Sequence, residues 1–415
     1  MERDKLSDDL KECVKLITEY LSILSSSKKL NEVLTEELIE IKNKINSDRL
    51  TEITDNEEAI DDESLIRSED VVVTLTHTGY IKRVPLNSYR AQKRGGKGRS
   101  GMTTKEEDFV NEVFVVNTHT PLLFFSNKGI VYRIKTYKLP IGSPTSKGKA
   151  LVNLLPLRSD EKITTTMPYD INKKNIVFAT AKGNIRRNKL TDFHNINANG
   201  KIAMKLNEDD KLVNVVSCSE KDDVFLSTKL GKCIRFSCND LRVFSGRSSV
   251  GVRGIKLSDK DSVISLAILN GINFNVNERD EYLKLSSLMR KNEKIDKFEL
   301  SKEKIDDFNN NEEFILSVTD KGFGKRSSAY EYRKTNRGGL GIANMQLSSR
   351  NGNEIIASFP INDKDQLMLV TDNGQLIRCP VNDVRIAGRQ TQGVTLFNVS
   401  DGERVVSVAK LEENE

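Results

Sequence analysis

One short segment of the chain, QKRGGKG, combines three cations with three glycines in seven residues. It consists of Gln92, Lys93, Arg94, Gly95, Gly96, Lys97 and Gly98. Glycines let a backbone approach a phosphate closely and turn its N–H groups toward it, while lysine and arginine supply positive charge. A segment of this composition has nothing to contribute to a hydrophobic core. It therefore indicates a loop that contacts a polyanion, and the rest of the chain must position that loop.

The segment belongs to an internal repeat that occurs six times. Each copy has an apolar strand, a polar turn with a glycine and a second strand, as in VVVTLTHTGYIKR from Val71. The turn glycines are Gly79, Gly129, Gly183, Gly231, Gly322 and Gly374, and a second glycine follows 17 to 20 residues later at Gly98, Gly148, Gly200, Gly251, Gly341 and Gly393. Two marks in register through units of about 50 residues predict a mainly β fold, a propeller-like ring of six blades.

Charge divides the chain into an acidic start and a basic body. Residues 1–65 carry 18 Asp and Glu against 9 Lys and Arg, which leaves 42 acidic and 56 basic residues in 66–415. The body therefore has a net charge of +14, which favours a polyanionic partner.

The domain boundaries follow from changes in hydrophobic pattern. Two apolar heptad stripes predict a short N-terminal antiparallel α-helical pair, the remnant of a coiled coil, over residues 1–50. An acidic stretch without periodicity predicts a linker over 51–66. The ring is expected over 67–410. An insertion at 271–312 separates blades four and five, and we interpret it as a solvated excursion that contains a short helix.

An arginine stands four residues after every turn glycine. These arginines are Arg83, Arg133, Arg187, Arg235, Arg326 and Arg378. In the interpretation that we favour, their guanidinium groups lie along one rim and follow a phosphate backbone. In the alternative, strand alternation places each arginine on the face of an apolar residue two positions earlier, where it packs against the neighbouring blade and pairs with a carboxylate.

A second set of arginines stands four residues before the second glycine. Its members are Arg94, Arg247, Arg337 and Arg389, in blades one, four, five and six, whereas blades two and three have Pro144 and Ile196. Arginines in polar, glycine-rich turns have little packing to do, so we predict that they contact phosphates. Base readout needs a rigid element that enters a groove. The sequence offers none, which predicts sequence-tolerant binding that favours deformable DNA.

Other chemistry finds little support in the sequence. The chain has no GxxxxGK[ST] or GxSxG motif and no plausible Ser/His/Asp arrangement. Its five cysteines form no CxxC pair and its three histidines lie far from them, so we expect no metal, no cofactor and a reduced, cytoplasmic protein. The charged N-terminus and the lack of a long apolar run predict no association with a membrane.

The repeat resembles a known family. QKRGGKG is similar to the seven-residue box in the C-terminal domain of the A subunit of bacterial DNA gyrase, a type IIA topoisomerase, and the flanking EDVVVTLTHTGYIKRVPLNSYRA and KALVNLLPL are similar to it as well. Residues 1–50 resemble the helices that leave the coiled-coil arm of the breakage–reunion core. The resemblance covers the chain apart from the insertion.

This resemblance implies a six-bladed β-pinwheel that wraps double-stranded DNA in a right-handed path around its basic rim, so that gyrase introduces negative supercoils. The box on the first blade is implied to be needed for wrapping. The implied partners are the breakage–reunion core and the ATPase, which is the B subunit of gyrase, and the implied location is the nucleoid in the bacterial cytoplasm. Because the chain lacks the family's active-site tyrosine and an ATPase site, we expect no catalysis by this chain alone. A stand-alone architectural DNA-binding protein and a propeller that serves as a protein-interaction platform remain alternatives.

Overall fold

The computed structural model describes residues 2–45, 65–88, 110–143, 146–170, 174–271, 275–291, 298–373, 375–400 and 402–411. The chain divides into two compact units, Met1–Asp62 and Glu63–Glu415. The box at 92–98 and most of the predicted linker at 51–66 lie outside the described residues.

The first unit is a pair of helices, α1 (Glu2–Leu24) and α2 (Ser27–Ile45), which confirms the predicted helical pair. No described residue of either helix is buried. Leu10 and Leu38, one from each apolar stripe, are 67% and 62% exposed. The two stripes are therefore open to solvent in this unit.

The second unit consists of six sheets whose long strands pair antiparallel, which confirms the predicted six blades. Each blade has a hairpin and a third long strand that pairs with the first strand of that hairpin. In blades one to three these strands are β1 (Asp70–Thr76), β2 (Tyr80–Pro85), β3 (Val110–Asn117); β4 (Pro121–Ser126), β5 (Ile130–Lys135), β7 (Ile163–Pro168); and β8 (Asn175–Thr180), β9 (Asn184–Lys189), β11 (Leu212–Cys218). In blades four to six they are β12 (Asp223–Thr228), β13 (Lys232–Ser237), β16 (Val263–Leu269); β17 (Phe314–Thr319), β18 (Phe323–Ser328), β20 (Ile355–Ile361); and β21 (Gln366–Thr371), β22 (Leu376–Pro380), β24 (Val405–Leu411).

Short outer strands complete five of the sheets, and each comes from the loop of the following blade. They are β6 (Lys149–Ala150) on β2, β10 (Lys201–Ile202) on β5, β14 (Val243–Phe244) and β15 (Val252–Arg253) on β9, β19 (Ile342–Ala343) on β13, and β23 (Val394–Thr395) on β18. We call them the exchanged strands. In blade six the described residues form the three strands β22, β21 and β24.

In blades two to six, the second glycine of the repeat marks the exchange. Gly251 and Gly341 immediately precede exchanged strands and have φ values of +83° and +71°. A Cβ atom on Gly341 would lie 2.4 Å from the carbonyl oxygen of Cys233 in the preceding blade, and one on Gly251 would lie 2.4 Å from that of Ile185. Only glycine tolerates both the positive φ and the close approach. The regular spacing in the sequence therefore reflects one backbone crossing per blade.

The hydrophobic core lies between the blades. All six residues of β8 are buried. Val177 and Ala179 pack into the core shared with blade four, whereas Ile176 and Phe178 pack into the core shared with blade two. Because successive side chains of a strand point to opposite faces, one strand fills two interblade cores.

The third strands of the six blades line a central cavity of 780 Å³. Strand β24 of blade six contacts β3 of blade one, which closes the ring. The charged residues among those that line the cavity are Glu112 and Lys410. Burial raises the pKa of Glu112 to about 7, and its Oε2 is buried without a hydrogen-bond partner. A cavity with one lysine is not a site for a polyanion.

The insertion folds into two helices, α3 (Val276–Arg290) and α4 (Lys302–Asn310). Side chains at both N-caps accept backbone hydrogen bonds, Asn275 from Asn277 N–H and Ser301 from Lys304 N–H. Tyr282 of α3 is buried. The structure thus corrects the expected solvated excursion, because the insertion is packed. None of the helices in the described ranges is long and apolar enough to cross a membrane.

Replacing Gly341 tests the role of the exchange in stability. We expect Gly341→Ala to lower the free energy of unfolding by about 2–4 kcal/mol, because the alanine combines a strained φ with a backbone clash. Gly339→Ala in the same loop is the matched control, since its Cβ would meet its nearest atom at 3.8 Å. Urea unfolding followed by circular dichroism measures the difference. Equal midpoints for the two variants would contradict the proposed role.

Candidate nucleic-acid interface

The box residues Gln92 to Gly98 lie outside the described residues, between β2 and β3 of blade one. The described part of the candidate interface therefore consists of the corresponding loops of the other blades. Each of these loops follows the second strand of its blade and runs over the edge of the preceding blade.

Buried arginines tie neighbouring blades together at the position four residues after the turn glycine. Arg83 Nε donates to the carbonyl oxygen of Leu139, and its Nη2 to that of Tyr137, both at 2.9 Å. Arg326 Nε likewise donates to the carbonyl oxygen of Val384 at 2.7 Å. In both cases a strand of one blade holds a turn of the next blade through a guanidinium group.

Arg235 shows the same arrangement with a carboxylate added. Its Nη1 donates to the carbonyl oxygen of Ala329 in blade five at 2.8 Å, and its Nε donates to Asp223 Oδ2 at 2.9 Å. Asp223 is fully buried, and its Oδ1 also forms an ion pair with Lys334 Nζ at 2.8 Å. A buried guanidinium needs such partners, because an unpaired charge in the interior is strongly destabilising.

The structure therefore corrects the DNA-facing position predicted for Arg83, Arg187, Arg235 and Arg326, which are only 6–9% exposed. The interblade alternative describes Arg83, Arg235 and Arg326, although carbonyl oxygens rather than carboxylates are the acceptors at Arg83. Arg187 is buried as well, but its Nε and Nη1 have no hydrogen-bond partner in the described part of the chain. Arg133 is half-buried. Arg378 is exposed and donates to Gln366 Oε1. For these last two arginines, contact with DNA stays a prediction.

A further set of buried cations was missed by the sequence analysis. Lys82, Arg186 and Lys325 stand three residues after the turn glycine in blades one, three and five, and all are fully buried. Lys325 Nζ donates to the carbonyl oxygens of Gly388 at 2.8 Å and Thr391 at 3.2 Å. These acceptors belong to the loop of blade six, so the lysine holds the neighbouring loop from below.

Arg186 and Lys82 do the same for the loops of blades four and two. Arg186 Nη1 donates to the carbonyl oxygens of Arg247 at 2.7 Å and Ser249 at 2.8 Å. Lys82 Nζ donates to that of Ser146 at 2.8 Å. Burial lowers the pKa of Arg186 to about 10 and that of Lys325 to about 7. The sequence did carry a signal for this set. The position three residues after the turn glycine is a lysine or arginine in blades one, three and five, and it is Tyr132, Ile234 and Ile377 in blades two, four and six.

The loop arginines Arg247, Arg337 and Arg389 lie at the outer edge of the ring. Each donates to a carbonyl oxygen of the preceding repeat: Arg247 Nη1 to Asp192 at 3.1 Å, Arg337 Nε to Asp240 at 3.1 Å, and Arg389 Nη1 to Ala343 at 3.0 Å. Arg337 is exposed, and the other two are half-buried. Since a guanidinium has five N–H donors, these contacts orient each side chain and leave donors for another acceptor.

Exposed cations accompany these arginines on the outer loops and exchanged strands. They are Lys138, Lys149, Arg242, Arg253, Arg333 and Arg385. In the described residues no group of three or more His, Cys, Asp or Glu side chains is arranged to hold a metal ion. The chemistry that the outer edge offers is therefore the binding of anionic oxygens by arginine, lysine and backbone N–H groups.

Comparison with known families gives one match along the ring. The family model described as DNA gyrase C-terminal domain, beta-propeller, matches residues 70–117, 120–170, 174–219, 222–270, 313–362 and 365–412. The six stretches correspond to the six blades and leave out the insertion.

Similar full-length proteins are subunits of gyrase. The A subunit of DNA gyrase from Rickettsia bellii (strain RML369-C) is 52% identical over 427 residues, which cover 100% of this chain and 47% of that protein. The A subunit of DNA gyrase from Haemophilus influenzae (strain ATCC 51907 / DSM 11121 / KW20 / Rd) is 38% identical over 416 residues, which cover 98% of this chain and 45% of that protein. The chain spans about half the length of the curated relatives it matches.

Two solved structures share the architecture. A DNA gyrase A C-terminal domain is 25% identical, with a TM-score of 0.57, and the match covers 83% of this chain and 100% of that one. The C-terminal domain of a DNA topoisomerase IV is 24% identical, with a TM-score of 0.65, over 84% of this chain and 94% of that one. The second likeness concerns the fold alone.

The buried Lys325 gives a prediction about pH. Its pKa is about 7 in the folded chain and about 10.4 in an unfolded chain. Between these values the unfolded state binds a proton that the folded state does not, so Lys325 makes the free energy of unfolding rise with pH, by at most about 1.4 kcal/mol per unit. Below pH 7 both states are protonated and the effect is constant.

Urea unfolding of the wild type and of Lys325→Met at pH 7, 8 and 9 measures how the free energy of unfolding changes with pH. The other titrating groups are common to both proteins, so a difference between the two slopes comes from Lys325. We expect a steeper rise in the wild type. Lys321→Met, at an exposed position in the preceding turn, is the control and should keep the wild-type slope. Parallel curves for wild type and Lys325→Met would mean that Lys325 stays charged throughout.

Proposed function

The chain belongs to the DNA gyrase C-terminal domain family, and on that premise we propose that it binds double-stranded DNA on its outer rim and wraps it in a right-handed path. In this role it is the part of gyrase that presents wrapped DNA to the strand-passage machinery. The proposed partners are the breakage–reunion core and the B subunit of gyrase. We place the protein in the bacterial cytoplasm, at the nucleoid, and propose that it has no catalytic activity of its own.

The observation that carries the proposal is the repeated placement of loop arginines at the outer edge. Arg247, Arg337 and Arg389 stand in the same register of three successive loops. Each is oriented by a carbonyl oxygen of the preceding repeat. Cations that recur once per blade at one edge of a ring suit the phosphates of a polymer that follows that edge.

The charged loops belong to four blades that are neighbours around the ring. Arg247, Arg337 and Arg389 belong to blades four, five and six, and the box belongs to blade one in the sequence. Blade six contacts blade one through β24 and β3. An arc over four contiguous blades favours a DNA path with two distinct ends, and blades two and three, with Pro144 and Ile196 in place of the arginine, lie outside it.

The proposed binding tolerates different DNA sequences. The described loops present charge and backbone donors, and the exchanged strands that accompany them are only two residues long. Phosphate contacts carry no direct sequence information, so preference would come from how easily the DNA bends.

Ligation of nicked circular DNA in the presence of the protein tests wrapping. A right-handed wrap adds positive writhe, so we expect the closed circles to shift to a higher linking number in proportion to the bound protein. Two-dimensional gel electrophoresis measures the shift. A variant with Arg247, Arg337 and Arg389 all changed to Gln should shift the distribution less. Unchanged topoisomers with the wild type would overturn the proposal, and DNA binding that is insensitive to salt would favour the protein-interaction platform.

Neutralising the box separates wrapping from binding. We expect Lys93→Gln, Arg94→Gln and Lys97→Gln together to abolish the topological shift while affinity for linear DNA falls only modestly, because the other charged loops remain. The matched control removes three exposed lysines from the helical unit, by Lys15→Gln, Lys28→Gln and Lys29→Gln. Normal wrapping by the box variant would show that the box does not fix an end of the DNA path.

A further inference from the structure

Two cysteines of the second unit lie side by side in the core between blades three and four. Cys218 is the last residue of β11, and Cys238 follows β13 directly, at the start of a single turn of 3₁₀ helix, Cys238–Asp240. The two residues are 20 positions apart in the chain, yet their Sγ atoms are 3.0 Å apart. Both side chains are buried. The fold therefore brings two thiols from different blades into direct contact.

The backbone around the two cysteines fixes this contact from both sides. Cys218 pairs with Asn175 at the end of the blade-three sheet. The backbone N–H of Cys238 donates to the carbonyl oxygen of Asp222 at 2.9 Å, and the Asp222 carboxylate accepts the backbone N–H of Ser219 at 2.7 Å. The turn that joins β11 to β12 thus positions both sulfur atoms, so their contact does not depend on side-chain rotamers alone.

A buried arginine lies close to the two thiols. Arg187, in β9 of blade three, is only 6% exposed, and its Nε and Nη1 have no hydrogen-bond partner among the described residues. Its positive charge acts on both sulfur atoms. A buried guanidinium is stabilised by a negative charge nearby, and a thiolate supplies one.

These surroundings make the two thiols unequal. The hydrogen bond with Cys218 lowers the pKa of Cys238, and the charge of Arg187 lowers it further, although burial and the charge of Asp222 act in the opposite direction. The same hydrogen bond, together with burial, raises the pKa of Cys218. Cys238 is therefore the thiol that ionises first, and the thiolate is the form that reacts with oxidants.

Both cysteines lie next to exposed segments of the chain. Ser219 and Asn239, which directly follow Cys218 and Cys238, are exposed. A single turn of 3₁₀ helix makes few hydrogen bonds, so local opening at Cys238 costs far less than the unfolding of a blade. A small oxidant therefore reaches the sulfur atoms through a local movement of this turn.

We propose that Cys218 and Cys238 are a site of reversible oxidation, at which a small hydroperoxide forms a disulfide that joins blades three and four. The Cys238 thiolate attacks one peroxide oxygen, the O–O bond breaks, and hydroxide or an alkoxide leaves, so that Cys238 becomes a sulfenic acid. Cys218 Sγ then attacks the Cys238 sulfur, and its proton leaves with the sulfenic hydroxyl as water. The two thiols lose two electrons, which the hydroperoxide accepts. The sulfur atoms approach each other by about 1 Å to reach the usual bond length.

Counting thiols tests the site directly. Cys13→Ser and Cys379→Ser remove the exposed and the half-buried cysteine, which leaves three buried ones, Cys218, Cys233 and Cys238. The folded protein is treated with hydrogen peroxide and then denatured, and its remaining thiols are alkylated and counted by mass spectrometry. We expect the count to fall from three to one, with one peptide pair joined through Cys218 and Cys238, and to return after treatment with dithiothreitol.

Matched variants in the same background assign the two roles. With Cys238→Ser, both remaining thiols should persist, because the reactive thiolate is gone. With Cys218→Ser, Cys238 should stop at the sulfenic acid, which dimedone labels, since no second thiol displaces its hydroxyl. Cys233, which lies on β13 and is fully buried, is the internal control and should stay reduced. Peptide mapping of the peroxide-treated wild type detects the same bridge without any substitution, so the test does not depend on the folding of the variants.

Arg187 provides a readout that packing alone would not change. We expect Arg187→Gln to move the pH profile of the rate of disulfide formation to higher pH, because a smaller fraction of Cys238 is then ionised at a given pH. Arg187→Lys keeps the positive charge and should stay closer to the wild-type profile. An unchanged profile for Arg187→Gln would contradict the role given to the arginine.

Two results would overturn the inference. The first is three intact thiols after a peroxide treatment that fully oxidises the exposed Cys13 of the wild type. The second is equal oxidation of Cys233, because the reaction would then follow general unfolding rather than the contact between Cys218 and Cys238. Neither result bears on the proposed DNA binding, in which these cysteines take no part.

Discussion

The structure depends on the hydrogen bonds between the edge of one blade and the strand that the next blade contributes. A three-stranded blade alone would leave an unpaired edge, which invites pairing with other chains. The exchanged strands β6, β10, β15, β19 and β23 cover these edges in five blades. They also join neighbouring blades through backbone contacts, in addition to the apolar cores between them. The crossing requires close backbone approach at glycines such as Gly341, which is why glycine recurs there.

The exchanged strands also explain why most of the repeated lysines and arginines of the hairpins are buried. A loop that crosses a neighbour turns several carbonyl oxygens inward, and each needs a donor, because a buried polar group without a partner is costly. Arg83 and Arg326 supply donors to one turn of the neighbouring blade, and Lys82 and Lys325 supply them to its loop. Long cationic side chains suit this task because they bring several N–H groups and have no acceptor of their own.

The sequence predicted the ring and its six blades, because the repeated glycines stand where the backbone needs a positive φ or a close approach, and these needs recur from blade to blade. It left the burial of Arg235 as the less favoured alternative, because alternation assigns a residue to a face without saying what covers that face, and in this ring both faces of a hairpin strand meet a neighbour. The loop position of Arg337 was predicted correctly, since its glycine-rich context leaves little to pack. The packing of the insertion against blade five was not predicted, because Tyr282 and Tyr330 lie far apart in the sequence and their rings meet only in the folded chain.

The buried cations also bear on the outer surface. Arg186 lies beneath Arg247, and Lys325 lies beneath Arg389, and in each pair the loop arginine lowers the pKa of the buried group further, after burial itself. Carbonyl oxygens accept the hydrogen bonds of Arg186 and Lys325. A carbonyl dipole weakens the field of a charge without cancelling it. The positive potential of Arg186 therefore adds to that of Arg247, through a medium of lower dielectric constant than water. Lys325, whose pKa is about 7, adds to the potential at Arg389 in this way only when it is protonated, at and below neutral pH. A polyanion on the rim would interact with both layers, so residues that stabilise the exchange also strengthen the field at the surface where the DNA is proposed to run.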